Sequence, residues 1–371
     1  MFSSCKKEND KTKEDDCVNS SNVISGKIIE GQYIVLYKNT IDAPSVSANR
    51  VAQLNRDVLQ EYQISSSAIK GSFTSDAGGF VAELTPEQAT DLKSDPAIDR
   101  VEPDRIVALS TCFTIVAPTL ITWSVNKVGY GDGTGKTAWI IDTGIDFEHT
   151  DLNVDKTRSK SFISGVTSAD DENGHGTHVA GIIGAKNNTF GILGVASGAN
   201  LVSLKVLDKD GKGTLSSIIQ ALSYVNANAK AGDVVNMSLG EDQVSDILDQ
   251  QVQATASKGI LVAIAAGNEG KAANLYSPGR ANGANIFTVS ATDSLDNFAS
   301  FSNYGNDVVD FAAPGVRILS TYTEGRYARM SGTSMATPHL AGLLLLNGRN
   351  INYSGTALND PDGTPDKIAR K

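Results

Sequence analysis

The alternation of apolar and polar positions changes character along the chain. Residues 1–27 are polar and poor in aromatics, with neither a two-residue nor a 3.6-residue period, and predict a disordered leader or tether. Residues 31–38 (GQYIVLYK) are apolar and β-branched and read as a strand. Residues 48–62 carry Val51, Leu54, Val58 and Tyr62 at helical spacing. Two apolar runs, 69–74 and 80–84, flank Asp76-Ala77-Gly78-Gly79 and predict a hairpin. Thr85-Pro86-Glu87-Gln88 is a helix start, with Thr as cap, Pro at the first helical position and Gln reaching back. A last strand covers 98–109, and residues 110–124, with Pro118 and little periodicity, form a linker.

From about Val125 the rhythm is different. Apolar runs of strand length at 138–141, 201–207, 234–239, 260–266 and 286–291 alternate with helical segments near 176–185, 214–229, 244–258 and 334–346. Strands apolar on both faces and joined by helices imply a parallel sheet covered on both sides, with ligands beyond the carboxyl ends of its strands. The expected architecture is a small βαββαβ, ferredoxin-like α+β unit over 28–109, then a three-layer α/β domain over 125–371. A chain of 371 residues suits two domains, and 40% apolar residues suffice for a sizeable core.

Charge and cysteine usage narrow the function. The net charge is −10 and no Lys/Arg run stands out, which argues against nucleic-acid binding. No stretch reaches the ~18 apolar residues that cross a bilayer. Cys5, Cys17 and Cys112 are odd in number, fit no zinc spacing, and lie outside the segment that carries the chemistry. At most one pair could join. Phe2-Ser3-Ser4-Cys5-Lys6-Lys7 resembles the cleavage site of a bacterial lipoprotein signal without its apolar region, so either Cys5 is lipidated or it is a chance Cys in a polar tail.

Three short motifs stand at expected strand ends or helix starts. Trp139-Ile140-Ile141-Asp142-Thr143-Gly144 delivers a carboxylate at the end of an apolar strand. Asn173-Gly174-His175-Gly176-Thr177-His178 opens a helix of small residues; an HxxH metal pair would need a third ligand, and only His149 and His339 remain. Ser331-Gly332-Thr333-Ser334-Met335-Ala336-Thr337-Pro338-His339 sets a serine at a helix N-terminus. Each alone reads as a cap, a turn or a structural histidine. Together they supply a hydroxyl nucleophile, an imidazole base and a carboxylate that fixes the imidazole tautomer. A fourth motif, Ala265-Ala266-Gly267-Asn268-Glu269-Gly270, closes another strand with an amide able to donate to an oxyanion.

With DTGID, HGTHVAG, NMSLG, AAGNEG and GTSMATPHLAG in this order, the chain resembles the subtilisin family of serine proteases, preceded by its inhibitor-type propeptide. The softer marks of the propeptide are Tyr33-Ile34-Val35, Gly79-Phe80-Val81-Ala82 and Val101-Glu102-Pro103-Asp104-Arg105. The resemblance implies a self-processing zymogen, cut between about residues 108 and 119, with Ser334 as nucleophile, His175 as base and Asp142 as its orienter. Asn268 and the Ser334 N–H would form the oxyanion hole, and His178 would be structural. Ser238, Leu239 and Gly240 would pair with the substrate backbone and, with Ala266 and Gly267, wall the first pocket. Gly211 and Gly213 would form the opposite edge strand, and Leu215 would line the pocket three residues further up the substrate.

The resemblance also implies a structural calcium ion held by Asp151 and Asn188 with carbonyls of Lys186, Phe190 and Ile192. Asp310 is a poorer candidate, because Val308 stands where some members carry an acid. Residues 274–278 are closer to the proteinase K branch, and the tail after Leu346 is short and polar, unlike many members. The expected partners are protein or peptide substrates and the chain's own prodomain, in an extracytoplasmic monomer that meets a membrane only through a lipid on Cys5. Cleavage is expected to be broad, with an apolar or aromatic preference. Two other classes compete: a catalytically silent binding protein of the same fold, and a nucleotide-binding α/β protein, for which no GxGxxG or Walker loop is present.

Overall fold

The computed structural model describes residues 17–19, 26–38, 47–74, 78–108, 110–115 and 120–371, with the backbone course alone in 17–19 and 110–115. The first unit comprises β1 (Cys17–Asn19), β2 (Ile28–Tyr37), α1 (Ala48–Glu61), β3 (Ile69–Phe73), β4 (Gly79–Glu83), α2 (Pro86–Lys93) and β5 (Ile98–Ala108). Thr85 and Gln88 close the expected capping box at the start of α2. The four strands from β2 to β5 pair antiparallel in the order β5-β2-β4-β3. Strand alternation gives this sheet two jobs. Val35 and Tyr37 face α1 and α2 with Phe80, Ala82 and Leu92. Ile34 and Leu36 face the other way and join Phe73, Val81 and Val107 in a core shared with the second unit.

The second unit continues with β6 (Ser110–Ile115), α3 (Trp123–Val128), β7 (Gly131–Asp132), β8 (Thr137–Asp142), β9 (Lys160–Ser161), α4 (His175–Gly184), β10 (Ala196–Ser197), β11 (Asn200–Lys205) and β12 (Lys212–Thr214). Then come α5 (Leu215–Asn228), β13 (Val234–Met237), α6 (Asp246–Ser257), β14 (Leu261–Ala265), β15 (Ile286–Thr292), β16 (Val309–Pro314), β17 (Ile318–Tyr322), β18 (Arg326–Ser331), α7 (Thr333–Asn347), β19 (Asn352–Thr356) and β20 (Lys367–Arg370). The main sheet runs β19-β20-β16-β15-β14-β13-β8-β11-β9, parallel throughout except at β19. Helices α4 and α7 cover one face and α5 and α6 the other. Within β8, Ala138 and Ile140 point to the first face and Trp139 and Ile141 to the second, so this strand has no polar side.

Three segments carry order that no local period announced. The linker over 110–124 is not without structure: β6 pairs with β18, and α3 begins at Trp123. Within the expected disordered leader, β1 pairs with β6 and sets Cys17 opposite Cys112; Cys5 lies outside the described residues. The polar tail ends in the β19–β20 hairpin, where Ile368 and Ala369 are buried as β20 extends the main sheet beside β16. All three are short segments that acquire order from partners far away in sequence, and a local apolar period cannot report such pairing.

Candidate active site

Strand β8 is buried along its whole length and delivers Asp142 at its carboxyl end with no solvent exposure. The carboxylate Oδ1 accepts a bond from the Thr143 N–H at 2.7 Å and lies 2.7 Å from His175 Nδ1. A carboxylate on Nδ1 fixes the proton there and leaves Nε2 as the basic nitrogen. His175 opens α4, and the helix enters so near β8 that a Cβ at Gly176 would stand 2.1 Å from the Gly144 carbonyl oxygen. Only glycine permits that approach.

Strand β13 pairs directly with β8, so Ser238, just beyond its end, sits at the same rim as Asp142. Ser334, second residue of α7, docks on it: the Ser334 hydroxyl donates to the Ser238 carbonyl at 3.0 Å, and the Ser238 hydroxyl donates to the Ser334 carbonyl at 2.8 Å. His175 Nε2 is buried and carries no hydrogen bond among the described residues. The resting site therefore has its Asp–His bond closed and its Ser–His bond open. Next in the sheet, β14 leads to Asn268, whose Oδ1 accepts from the Thr333 N–H at 2.8 Å and hydroxyl at 3.0 Å. Thr333 also accepts from the Gly267 N–H at 3.2 Å. Gly267 has φ +108°, and a Cβ there would meet Asn303 Nδ2 at 2.2 Å.

The second histidine does other work. His178 Nε2 lies 3.0 Å from both the Ile318 and Ala328 carbonyls, tying α4 to β17 and β18. Burial pushes its pKa down to about 3, so the ring is neutral.

The cleft is filled by the chain's own first unit. Strand β12 pairs antiparallel with β5, Gly213 opposite Val107 and Lys212 opposite Ala108. Val107 is buried with Leu215 and Leu239. Gly211 makes the turn into β12 at φ +70°. Ala266 is buried behind Asn268, and Gly240 leads to Glu241, whose N–H donates to the Ser277 carbonyl at 2.9 Å.

Two carboxylates of β5, Glu102 and Asp104, carry docking contacts that their place in the Val101–Arg105 motif did not announce. Glu102 accepts from the Ser245 hydroxyl at 2.8 Å and the Ile247 N–H at 3.4 Å, at the start of α6. Asp104, fully buried, accepts from the Ser216 N–H at 3.1 Å and from its hydroxyl, at the start of α5. Both therefore sit at positive helix ends. Burial raises the pKa of each. Their i, i+2 spacing on one strand face was the available signal.

The Asp151 loop, where a cation was expected, is closed by hydrogen bonds to its carboxylate. Asp151 Oδ2 accepts from the Ile192 N–H at 3.0 Å and the Tyr327 hydroxyl at 3.2 Å, and Oδ1 accepts from Asn188 Nδ2 at 2.7 Å. Asn188 Oδ1 in turn accepts from the Phe190 N–H at 3.1 Å. The Lys186 ammonium donates to the Thr150 carbonyl at 3.0 Å. The Asp151 carboxylate is thus held by N–H donors of its own loop and by the hydroxyl of Tyr327 on β18.

Comparison with known proteins agrees with this geometry. The Subtilase family model matches residues 133–358, and the Peptidase inhibitor I9 model matches residues 32–110. The chain is 38% identical over 331 residues to alkaline serine exoprotease A of Vibrio alginolyticus, covering 86% of this chain and 60% of that relative. It is 42% identical over 284 residues to an alkaline protease of Shouchella clausii, covering 74% and 70%. To subtilisin BL of Lederbergia lenta it is 45% identical over 227 residues, covering 61% and 81%. Among solved structures, a cold-adapted subtilisin-like serine proteinase superposes with a TM-score of 0.61 at 34% identity, covering 67% of this chain and 98% of that one. With its Asp–His pair closed at the rim of a parallel sheet and an inhibitor-type unit strapped across the cleft, this chain belongs to the subtilase family.

Proposed function

We propose that the chain is the zymogen of a serine endopeptidase that cuts itself free of its prodomain and works outside the cytoplasm. The observation that carries this reading is the buried 2.7 Å contact between Asp142 and His175, on the rim where Ser334 meets Ser238. Ser334 turns its hydroxyl from the Ser238 carbonyl to His175 Nε2, gives up its proton and attacks the scissile carbonyl. Asp142 holds the Nδ1 proton and stabilises the imidazolium that forms. Asn268 and the Ser334 N–H receive the oxyanion; one such donor is worth on the order of a hundredfold in rate. His175 then protonates the leaving amine, and a water regenerates the serine through the same base.

The β5–β12 pairing sets the register of self-cleavage. If Val107, between Leu215 and Leu239, fills the pocket three residues up from the first, the scissile bond is Ser110–Thr111. This lies inside the expected 108–119 window. A lipid on Cys5 would anchor the leader to an envelope, whereas an unmodified Cys5 mass would leave the product free. The filled hydrogen bonds of Asp151 do not support a calcium ion in that loop.

The test compares wild type with Ser334→Ala. Wild type should convert to a shorter chain beginning at Thr111 and take a fluorophosphonate label on Ser334, while the variant stays full length and unlabelled. A wild-type chain that remains intact and unlabelled would refute the reading.

A further inference from the structure

We propose that Glu241 is a specificity-determining residue that accepts a basic side chain of the substrate, two positions N-terminal to the residue seated between Leu215 and Leu239. The inference rests on the peptidase reading above and deepens it, adding a cationic requirement to one end of the cleft.

Glu241 directly follows Ser238-Leu239-Gly240, the cleft edge facing β12, and its side chain is only 1% exposed. Both carboxyl oxygens are buried without a hydrogen-bond partner among the described residues. A buried carboxyl left unbonded costs on the order of 1–3 kcal/mol or more, so a fold that keeps one in its binding cleft is poised for a ligand. The charged groups facing it are Arg105, Glu102 and Asp104 from β5, and Asp249 from α6. Burial first, then the three acids, push its carboxyl up to about 8, and Arg105 opposes them.

Arg105 marks the position that a substrate residue would take. It stands two residues before Val107 on β5, so its side chain lies on the same strand face. Its Nε is buried and unbonded, and one terminal nitrogen reaches only the Gly26 carbonyl, at 3.4 Å. The prodomain thus brings a cation to Glu241 without completing the pair. Its neighbours Glu102 and Asp104 are bonded to α6 and α5, which fixes the course of β5, and they add negative charge beside Glu241. A substrate strand carries neither acid. A lysine or arginine at the Arg105 position would meet a carboxyl free to ionise, in a site shielded from water where such a pair is worth most.

The experiment uses self-processed enzyme, with each preparation normalised to fluorophosphonate-labelled Ser334. Internally quenched octapeptides are identical except at the sixth residue before the scissile bond, which is Arg, norleucine or Glu. Wild type should cleave the Arg peptide with kcat/KM about tenfold above norleucine, and the Glu peptide below it. In Glu241→Gln the Arg-to-norleucine ratio should fall to near one, and in Glu241→Lys the order of Arg and Glu should invert. A wild-type ratio within about twofold of one, or a ratio that survives Glu241→Gln, overturns the proposal. Failure of the peptidase reading looks different: no peptide is cut and no label is taken.

Discussion

Asp104→Ala tests whether the prodomain is held by acids on helix ends. Asp104 is fully buried and crosses the domain boundary with two hydrogen bonds, from the Ser216 N–H and hydroxyl. A hydrogen bond to a charged group contributes about 1.5–3 kcal/mol. Burial of the carboxyl, which raises its pKa, offsets part of that. A net loss of about 2–4 kcal/mol would make undocking roughly 30- to 800-fold more frequent. The assay is amide hydrogen exchange in the Ser334→Ala background, where the chain cannot cut itself. The informative amide is Ile247, which donates to Glu102 and not to Asp104. Docking as one body predicts that Ile247 and the β12 amides speed up together with Ser216. Faster exchange at Ser216 with Ile247 unchanged would refute the latch and reduce Asp104 to a local cap.

Thr333→Val removes the hydroxyl that bridges Gly267 and Asn268, so kcat should fall about tenfold with KM little changed, as read by steady-state peptide hydrolysis. Tyr327→Phe deletes a bond to Asp151 and should lower stability by about 1 kcal/mol in urea unfolding of the Ser334→Ala chain. Added calcium should not restore it; a midpoint recovered by calcium would make the Asp151 loop a cation cage after all. Docking should also weaken as pH rises. Glu241 moves from 4.5 to about 8 in the docked chain, so the docked form holds the extra proton; its contribution is complete below about 4.5 and is lost as pH climbs through 8. Glu102 and Asp104 shift in the same direction. Ile247 exchange, corrected for its intrinsic rate, should therefore report more frequent undocking at pH 8 than at pH 5.5, and an unchanged opening frequency would refute the linkage.

What the sequence made legible was whatever local chemistry writes at short range. Apolar runs such as Trp139-Ile140-Ile141 located β8, the small residues after His175 located α4, and Thr85-Pro86-Glu87-Gln88 located α2 to the residue. The Asp142–His175 contact followed from chemical need, because an imidazole base requires an acceptor on its other nitrogen. Strands β16 to β20 were not anticipated, since they hold only four to six residues each, and β18 and β20 pair with strands distant in sequence. At the Asp151 loop the residue types suggested a cation site, and the hydroxyl of Tyr327, 176 residues away, is a carboxylate partner that no local pattern could announce. Glu241 gave no signal at all, because burial is set by tertiary packing that no local period reports.

The prodomain holds the enzyme by two separable grips. One imitates a substrate: β5 adds to the β12 edge and buries Val107 in the core that also holds Leu215 and Leu239. The other has no substrate counterpart: Glu102 and Asp104 on the starts of α6 and α5, and the faces of Ile34 and Leu36 against the α5 side of the catalytic core. The proposed cut at Ser110–Thr111 would break neither, since every prodomain residue of both grips lies N-terminal to that bond. Cleavage therefore relieves only the tether, and a competing peptide can displace the first grip alone. The second has to be lost by undocking or by proteolysis of the prodomain, so weakening its buried acids is expected to speed the appearance of free enzyme.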